Sequence, residues 1–440
     1  MTNASSESAP GFHAAWRRLV GPRGVPTLPR RRGRKPRVPL TELLPALVFH
    51  VMQNAGTLAE HSAHLFDDAL ADSSWADRRA RLPWTIFAEL MRRALRAKAT
   101  RRQPGAFWRG WRLVALDGTQ FSLTNTPQIA ATYAKARTRR GRAAFAKIWT
   151  TVLLEVGLHN PLAAAIGRHR ESEWALAQRL LAQLPGRALL LGDRLYGVAA
   201  FVGPARAACQ RVGSHFLLRA GRSTTPRLRR RLADGTRLVA IALRARQRPA
   251  RILEWLEVRE IRVRVARRGH RSHALRLWTS LLDPRTAPAL ELARLYAQRW
   301  EHELYFRELK CHVRKTDLLQ SHTPETAAQE IAALILISAV LADERRRAAG
   351  GHISPLRISF LKILELCVKP MWWYLDVGHG ILTEAQLQRI LRRGYRRMRQ
   401  WVTPPRRARS CPRAVRQPIQ AWPRVLRAQS TTGPIEFRLV

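Results

Sequence analysis

Residues 112–124 read RLVALDGTQFSLT and residues 187–193 read RALLLGD, and these two stretches are the clearest indication of the fold. Each contains a short apolar run near turn residues, which is typical of a β-strand. Each run also reaches an aspartate, Asp117 in the first and Asp193 in the second. An aspartate is common at strand ends, so the pair is more informative than either residue alone. The pair predicts a sheet that presents two carboxylates at the ends of two strands.

Two further strands and a helix are predicted between these stretches. Residues 147–157 and 162–167 have the composition of strands and are separated by a short turn. Residues 173–184 repeat apolar side chains at helical period. The order along the chain is therefore β-β-β-α-β, and we expect a mixed α/β fold.

The flanking segments differ in character from this region. Short strands separated by basic turns are predicted after residue 213, and helical period returns at residue 287. We expect five segments: a helical, basic N-terminal domain (1–105), a first part of the α/β core (106–213), a β-rich insertion (214–283), a helical second part of the core (284–348), and a helical C-terminal region with a basic tail (349–440).

The chain is strongly basic. Its 440 residues include 78 Lys and Arg against 31 Asp and Glu, which gives a formal net charge of +47. Most of these cations are Arg, the side chain whose planar fork pairs best with phosphate. The charge excludes an ordinary metabolic enzyme, and the hydrophobic fraction of 46% excludes a disordered tail protein. Nucleic acid is the expected partner, and we expect the N-terminal domain to bind DNA.

Several other classes of protein are disfavoured. The four cysteines form no C-x-x-C pair, so neither a disulfide framework nor a zinc site is indicated, and a reducing cytoplasm fits best. The N-terminus lacks the pattern of a signal peptide. The most apolar run, residues 331–342, is well short of the ~20 residues that span a bilayer, so we expect a core helix and no membrane partner. No phosphate-loop or dinucleotide motif suggests a nucleotide cofactor.

One predicted helix after the β-rich insertion carries Tyr296, Arg299, Glu303 and Lys310. At ~100° per residue these positions fall at roughly 0°, 300°, 340° and 320°, on one helix face. The two neighbouring acids of this helix fall at roughly 140° and 120°, so geometry selects Glu303 among the three. The alternative is an exposed face on which Arg299 and Glu303 form an i,i+4 ion pair.

Three motifs together carry a resemblance to a known family. DGT at 117–119, DRLY at 193–196 and the spacing Y-x2-R-x3-E-x6-K over 296–310 resemble the DDE transposases of bacterial insertion sequences, in particular the IS-four group with its Tyr-Arg-Glu-Lys signature. The resemblance covers residues 110–345. It implies an RNase H-like (retroviral-integrase-like) catalytic domain, interrupted by a β-rich insertion between the second aspartate and the glutamate.

Asp117, Asp193 and Glu303 are the expected catalytic and metal-binding residues. Three carboxylates from separate chain segments can hold two Mg²⁺ ions ~3.5–4 Å apart, with Mn²⁺ as a substitute. Oxygen ligands suit Mg²⁺, and the lack of paired Cys or His argues against zinc. A fourth acid, Glu173, begins the predicted helix before the strand of Asp193. It fits either a partner of the helix dipole or an auxiliary acid.

The resemblance implies that Tyr296, Arg299 and Lys310 contact the DNA backbone near the cleavage site. Arg194 follows the second aspartate, and Arg307 falls at ~20° on the same helix face, so both would add positive charge beside the acids.

Two tryptophans are candidates for stacking on a flipped base, as in some members of the resembled family. Trp278 lies on the last strand of the insertion, and Trp300 follows Arg299. Stacking on an aromatic ring contributes ~1–3 kcal/mol per base. Core packing is the alternative for both residues.

These features predict a DNA transposase. We expect it to bind the terminal inverted repeats of an insertion sequence, to pair two ends as a homodimer, and to cleave and join double-stranded DNA of the transposon ends and the target. The expected location is the bacterial cytoplasm, in association with the nucleoid. Two alternatives remain open at this point: a metal-dependent nuclease of the same fold without strand transfer, and a DNA-binding protein whose acids are structural.

Overall fold

The computed structural model of the chain describes residues 11–28, 36–53, 55–66, 70–138, 141–168, 171–221, 224–245, 247–248, 250–267, 270–351, 353–404 and 435–439. Most of the predicted basic tail lies outside these residues, as does part of the basic stretch that precedes residue 40.

The described residues contain fourteen α-helices. These are α1 (Gly11–Val20), α2 (Leu40–His50), α3 (Leu58–Phe66), α4 (Asp72–Ala80), α5 (Trp84–Ala94), α6 (Pro127–Thr132), α7 (Glu173–Leu180), α8 (Ala199–Arg211), α9 (Ala289–Tyr296), α10 (Glu301–Arg307), α11 (Pro324–Ala349), α12 (Phe360–Ile363), α13 (Lys369–Gly378) and α14 (Glu384–Met398).

Thirteen strands accompany them within the same described ranges, and the prediction of a mixed α/β fold is confirmed. They are β1 (Phe107–Trp108), β2 (Trp111–Ser122), β3 (Arg137–Thr138), β4 (Gly141–Arg142), β5 (Lys147–Glu155), β6 (Asn160–Ile166), β7 (Ala188–Gly192), β8 (His215–Arg219), β9 (Arg227–Arg231), β10 (Arg237–Arg244), β11 (Ile252–Arg267), β12 (His270–Thr279) and β13 (Ile435–Leu439).

The chain divides into two compact units. The first comprises residues 1–107, 117–183 and 302–404, and the second comprises residues 108–116, 184–301 and 405–440. Strand β2 contributes its first half to the second unit and its second half, from Asp117, to the first. The bounds of the five predicted segments stay a prediction.

The core of the first unit is built around α11. Thr323 caps this helix in a capping box with Thr326, Pro324 occupies its first turn, and Gly350 ends it at φ 63°, a left-handed conformation that suits glycine. The residues between Ala327 and Arg345 are buried throughout. A helix that is apolar on all sides must be surrounded by protein, which is what the sequence predicted for residues 331–342.

The length and composition of α11 would also allow it to cross a membrane, but 89% of its most apolar window is buried inside the protein. A core helix of this kind passes the same test of length and hydropathy.

A three-strand layer in the first unit carries the first aspartate. The second half of β2 lies beside β5, and β5 pairs antiparallel with β6. The end of β2 is also tied to a later segment, because the amide of Leu319 donates to the carbonyl oxygen of Ser122 at 3.0 Å. The layer thus holds residues 117–122 against the chain that follows α10.

The sheet of the second unit carries the second aspartate. Strand β7 is buried along its whole length and pairs parallel with the first half of β2 on one side and with β8 on the other. Strands β8, β12, β11, β10 and β9 continue the sheet with antiparallel pairings. The C-terminal strand β13 pairs with residues 263–267 of β11, although the sequence predicts only a basic tail there.

The predicted helix over 287–315 is not one regular α-helix. Helix α9 is followed by a 3-10 turn at Ala297–Trp300, then by α10, then by a π-helical segment at Glu308–Arg314. A 3-10 turn is wound more tightly than an α-helix and a π-helix more loosely. The uniform 100° steps of the helical wheel therefore do not apply, and the angles predicted from them for Arg299, Glu303 and Lys310 relative to Tyr296 are wrong.

Candidate active site

Asp117 and Asp193 directly follow the last paired residues of two neighbouring parallel strands. Leu116 of β2 lies opposite Gly192 of β7, the last registered pair of the two strands. Both aspartates are half-buried. The side chain of Asp117 accepts a hydrogen bond from the amide of Gly118 at 3.0 Å. Each acid thus comes directly after the last residue of its strand that takes part in this pairing.

The turn after Asp193 is held rigidly within the second unit. The Asp193 carboxylate accepts a hydrogen bond from the amide of Leu195 at 2.7 Å. A Cβ atom at Gly197 would lie 1.7 Å from the carbonyl oxygen of Arg219, so only glycine allows this close approach. Arg194 and Leu195 between them are exposed. The backbone fixes Asp193 while the Arg194 guanidinium faces solvent.

Tyr296 contacts the same strand end. It is 7% exposed, and its hydroxyl donates a hydrogen bond to the carbonyl oxygen of Gly192 at 3.2 Å. Gly192 is the residue before Asp193. The first member of the Tyr-Arg-Glu-Lys signature therefore fixes the backbone next to the second aspartate, and its predicted DNA contact stays a prediction.

Lys310 lies beside the residues that follow Asp117. Its ammonium group donates to the Thr119 hydroxyl and to the Gln120 carbonyl oxygen, each at 2.6 Å. It also lies 5.0 Å from the centre of the Phe121 ring, in a cation–π contact. Lys310, the last member of the signature, therefore contacts strand β2 at residues two to four positions beyond Asp117.

Burial and neighbouring charge change the basicity of this lysine. Removal from water lowers the pKa of Lys310 to about 8, and the positive charges of Arg314 and Lys147 act in the same direction. A phosphate placed near the ammonium group would oppose both effects. Lys310 is a cation whose charge is costly in the free protein and would be stabilised by an anion.

The remaining predicted residues of the helical run are partly accessible. Glu303 is half-buried in α10, and Arg307 is exposed at the end of the same helix. The guanidinium of Arg299 lies 5.8 Å from the centre of the Trp300 ring. Their predicted roles in metal and DNA binding stay predictions.

Trp278 takes the core-packing alternative in this structure. Its side chain is fully buried, and the indole nitrogen donates to a carboxylate oxygen of Glu260 at 3.1 Å. The guanidinium of Arg276 lies 5.5 Å from the centre of the indole ring. No face of the ring is open to a base in the described structure, so stacking would require this packing to be disrupted.

Glu173 is an acid whose role the sequence leaves open. It is the first residue of α7, and its Cγ and Cδ atoms lie 2.5 Å from the point where a Cβ of Gly118 would be. A side chain at position 118 would push the Glu173 side chain away from this position beside β2. The glycine in the D-G-T sequence at 117–119 indicates that another residue lies close to the backbone there, but the sequence does not show that this residue is Glu173.

A buried ion-pair network behind the π-helical segment was missed by sequence reasoning. The Glu308 carboxylate lies 2.6 Å from Nδ1 of His159 and 3.1 Å from the guanidinium of Arg345. Arg345 also donates to the carbonyl oxygen of Ile358 at 2.7 Å. The network joins three distant parts of the chain two residues before Lys310, so no local pattern could reveal it.

The donor chemistry of the candidate site fits a hard divalent metal. Asp117, Asp193 and Glu303 offer only carboxylate oxygens, the ligands that Mg²⁺ and Mn²⁺ take. In the part of the chain that the structure describes, no three His, Cys, Asp or Glu side chains are grouped closely enough to hold a metal ion.

Comparison with known proteins shows the family to which the chain belongs. The family model described as "Transposase DDE domain" matches residues 108–341, more than half of the chain. The chain is 26% identical over 325 residues to the transposase InsG for insertion sequence element IS4 of Escherichia coli (strain K12), which covers 73% of this chain and 71% of that protein. It is 30% identical over 128 residues to the putative transposase InsZ of the same organism, which covers 29% of this chain and 43% of that protein.

A solved structure is also distantly similar, namely the cryo-EM structure of the piggyBac transposase synaptic complex with hairpin DNA. The TM-score is 0.44 at 9% sequence identity, over 90% of this chain and 87% of that one, which is too low to establish a shared fold. The family match over the segment that holds all three acids decides the assignment. The chain belongs to the transposases with a DDE domain and is similar to those of IS4-type insertion sequences, enzymes that cleave and transfer DNA strands with divalent metal ions.

Proposed function

We propose that Asp117, Asp193 and Glu303 are the catalytic carboxylates of this transposase and hold two Mg²⁺ ions, for which Mn²⁺ can substitute. The observation that carries the proposal is the parallel register in which Leu116 lies opposite Gly192, because Asp117 and Asp193 are the next residues of the two strands. The carboxyl ends of adjacent parallel strands meet at one sheet edge, where ligand sites of α/β proteins are commonly built.

The fold proposed for the catalytic region is RNase H-like, with the β-rich segment 214–283 inserted before the helix of Glu303. The chain order β2, β5, β6, α7, β7 supports this, together with the antiparallel pairing of β5 with β6 and the parallel pairing of β2 with β7. Strands β8 to β12 all fall within the proposed insertion.

The reaction is proposed to be an in-line displacement at phosphorus. A water oxygen, or a DNA 3′-hydroxyl oxygen in strand transfer, forms a bond to phosphorus while the bond to the 3′-oxygen of the cut strand breaks. The bound metals would activate the attacking oxygen and stabilise the leaving one. The three carboxylates would hold the metal ions, and no protein side chain serves as the nucleophile.

The surrounding cations make this acidic site compatible with DNA. The hydrogen bonds of Lys310 to Thr119 and Gln120 support the proposal that its ammonium group neutralises a phosphate near Asp117. Arg194 and Arg307 are exposed and free to approach the backbone, and Arg299 belongs to the same proposed surface. Tyr296 is proposed to support the position of Asp193 through its hydrogen bond to the carbonyl oxygen of Gly192, and Trp278 is a stacking candidate only if its packing opens.

The proposed partners are double-stranded DNA of the transposon ends and of the target, with two chains pairing the ends as a homodimer. The strongly basic composition supports a location on DNA, in the bacterial cytoplasm with the nucleoid. No step of the proposed reaction uses a nucleotide cofactor.

The direct test is a cleavage-and-joining assay on DNA that carries the flanking ends of the element, with Mg²⁺ or with EDTA. Glu303→Gln is compared with Glu301→Gln, a matched change two residues earlier in α10. We expect Glu303→Gln to bind the ends and to lose cutting, while Glu301→Gln keeps it.

Three outcomes would contradict the proposal. Cutting in EDTA would show that the reaction needs no metal ion. Cutting by Glu303→Gln would show that the Glu303 carboxylate is not required. Specific cutting without joined products under any condition would indicate a nuclease.

A further inference from the structure

The outer face of α14 carries a continuous stripe of arginines. The stripe follows the i, i+3, i+4, i+7, i+8 spacing of one helix face, and each of its members is exposed. We name this stripe the α14 arginine face; it consists of Arg389, Arg392, Arg393, Arg396 and Arg397.

The described part of the structure shows no acid that neutralises the charges of this face. The sequence contains no Asp or Glu between Glu384 and Glu436. Elsewhere on the described surface, exposed arginines do pair with acids, as Arg92 does with Glu89 at 2.6 Å. In the part of the chain that the structure describes, no ion pair joins an arginine of the α14 face to a carboxylate. All five positive charges are therefore available to a single anionic partner.

The opposite face of α14 is firmly anchored in the first unit. Leu387 and Met398 are buried, and the Tyr395 hydroxyl contacts Glu344 at 3.0 Å and Arg347 at 2.7 Å. A Cβ at Gly394 would lie 2.4 Å from the sulfur of Met371, so the helix packs closely against α13. The arginine face is thus presented by a helix that has little freedom to turn it inward.

We propose that the α14 arginine face binds the phosphate backbone of duplex DNA independently of its sequence. From Arg389 to Arg397 the helix rises about 12 Å, enough to meet successive phosphates of one strand. Guanidinium groups pair with phosphate oxygens in a planar, two-point geometry. Because no described acid pairs with these arginines, binding DNA there breaks no ion pair of the described structure. The inference rests on the DNA-directed activity of the family and not on the proposed acid site.

A second copy of this chain is the less favourable occupant. Pairing two α14 arginine faces would place like charges against each other, which is destabilising. Since the whole chain has a net charge of +47, few of its own surfaces could neutralise the face. A polyanion satisfies all five arginines without this repulsion.

The test measures the dissociation constant of the full chain for a duplex of mixed sequence, and for a terminal-repeat duplex, over a range of KCl concentrations in EDTA. Arg393→Gln/Arg396→Gln is compared with Arg81→Gln/Arg92→Gln. The control arginines are 78% and 62% exposed and pair with Asp77 and Glu89, so the net charge changes equally. EDTA removes any contribution of metal-dependent chemistry.

We expect the α14 variant to lose on the order of tenfold in affinity for both duplexes and to lower the magnitude of the log–log salt slope by about 1.8. The control should leave the slope nearly unchanged. Equal effects of the two variants would overturn the proposal, because global charge alone would then explain them. Loss on the terminal-repeat duplex only would indicate base recognition, and unchanged DNA binding with an altered oligomeric state would indicate a protein interface; either result overturns it.

Discussion

The hydroxyl group of Tyr296 donates a hydrogen bond to the carbonyl oxygen of Gly192 at 3.2 Å, in a buried setting. This contact joins the first residue of the Tyr-Arg-Glu-Lys signature to the residue that precedes Asp193. A hydroxyl used in this way supports the position of an acid, whereas the family resemblance implies a contact with DNA. The two roles lead to different measurements.

Replacing Tyr296 by Phe removes the hydroxyl and keeps the ring. We expect the free energy of unfolding to fall by about 1 kcal/mol, because a buried hydrogen bond is lost. Cleavage should slow, and affinity for terminal-repeat DNA should stay as in the wild type. Tyr374→Phe is the matched control, since Tyr374 is 58% exposed. Reduced DNA affinity with unchanged stability would assign the hydroxyl to DNA instead.

The pKa of Lys310, lowered to about 8 by burial, predicts a pH dependence of DNA binding. Below pH 8 the ammonium group is charged and can pair with phosphate; above it the free protein loses this charge. Affinity for DNA that includes the cleavage site should therefore fall about three- to tenfold between pH 7 and pH 9. Lys310→Arg keeps its charge throughout and should remove this dependence. The same pH profile in both proteins would exclude Lys310 as its source.

Gly118 and Glu173 should be energetically coupled. A methyl group at Gly118 would lie 2.5 Å from two carbon atoms of Glu173, so Gly118→Ala should cost about 1–3 kcal/mol of stability. Adding Glu173→Ala should restore part of this loss. Adding Glu171→Ala, at a residue whose carboxylate pairs with Arg179, should not. A double-mutant cycle by denaturant unfolding measures the coupling, and strictly additive effects would contradict the contact.

Glu308 should be important for stability despite being a charged residue. Its carboxylate is shared by His159 and Arg345, and Arg345 is almost fully buried. Glu308→Ala would leave a buried guanidinium without its acid, so we expect a loss of about 3–5 kcal/mol. Glu89→Ala removes a surface acid from Arg92 and Arg93 and should cost less than about 1 kcal/mol. Comparable losses in thermal and denaturant unfolding of the two variants would contradict this account.

The strand pattern was predictable because it depends on local alternation and apolar runs. The runs at 112–124, 147–157, 162–167 and 187–193 correspond to β2, β5, β6 and β7 within a few residues. Strand β13 was not predictable, because its pairing partner in β11 lies more than 160 residues earlier in the chain. An edge strand that completes a sheet from a distant terminus has a weak local signal.

The candidate acids were selected by sequence, but their supporting contacts were not. Asp117 and Asp193 stand out because each follows an apolar run. The hydrogen bonds of Lys310 to Thr119 and Gln120 depend on tertiary packing over about 190 residues of chain. The π-helical segment that carries Lys310 is likewise a departure from regular helix that the apolar period does not encode.

The most direct test of the central claim is a count of the metal ions that the chain binds. Mn²⁺ is titrated into the full chain in the presence of terminal-repeat DNA, and free Mn²⁺ is followed by electron paramagnetic resonance. We expect about two tightly bound ions for the wild type and for Asp317→Asn, an exposed control. We expect fewer for Asp193→Asn, with DNA affinity maintained. The same number of tightly bound ions in Asp193→Asn as in the wild type would contradict the proposed carboxylate site.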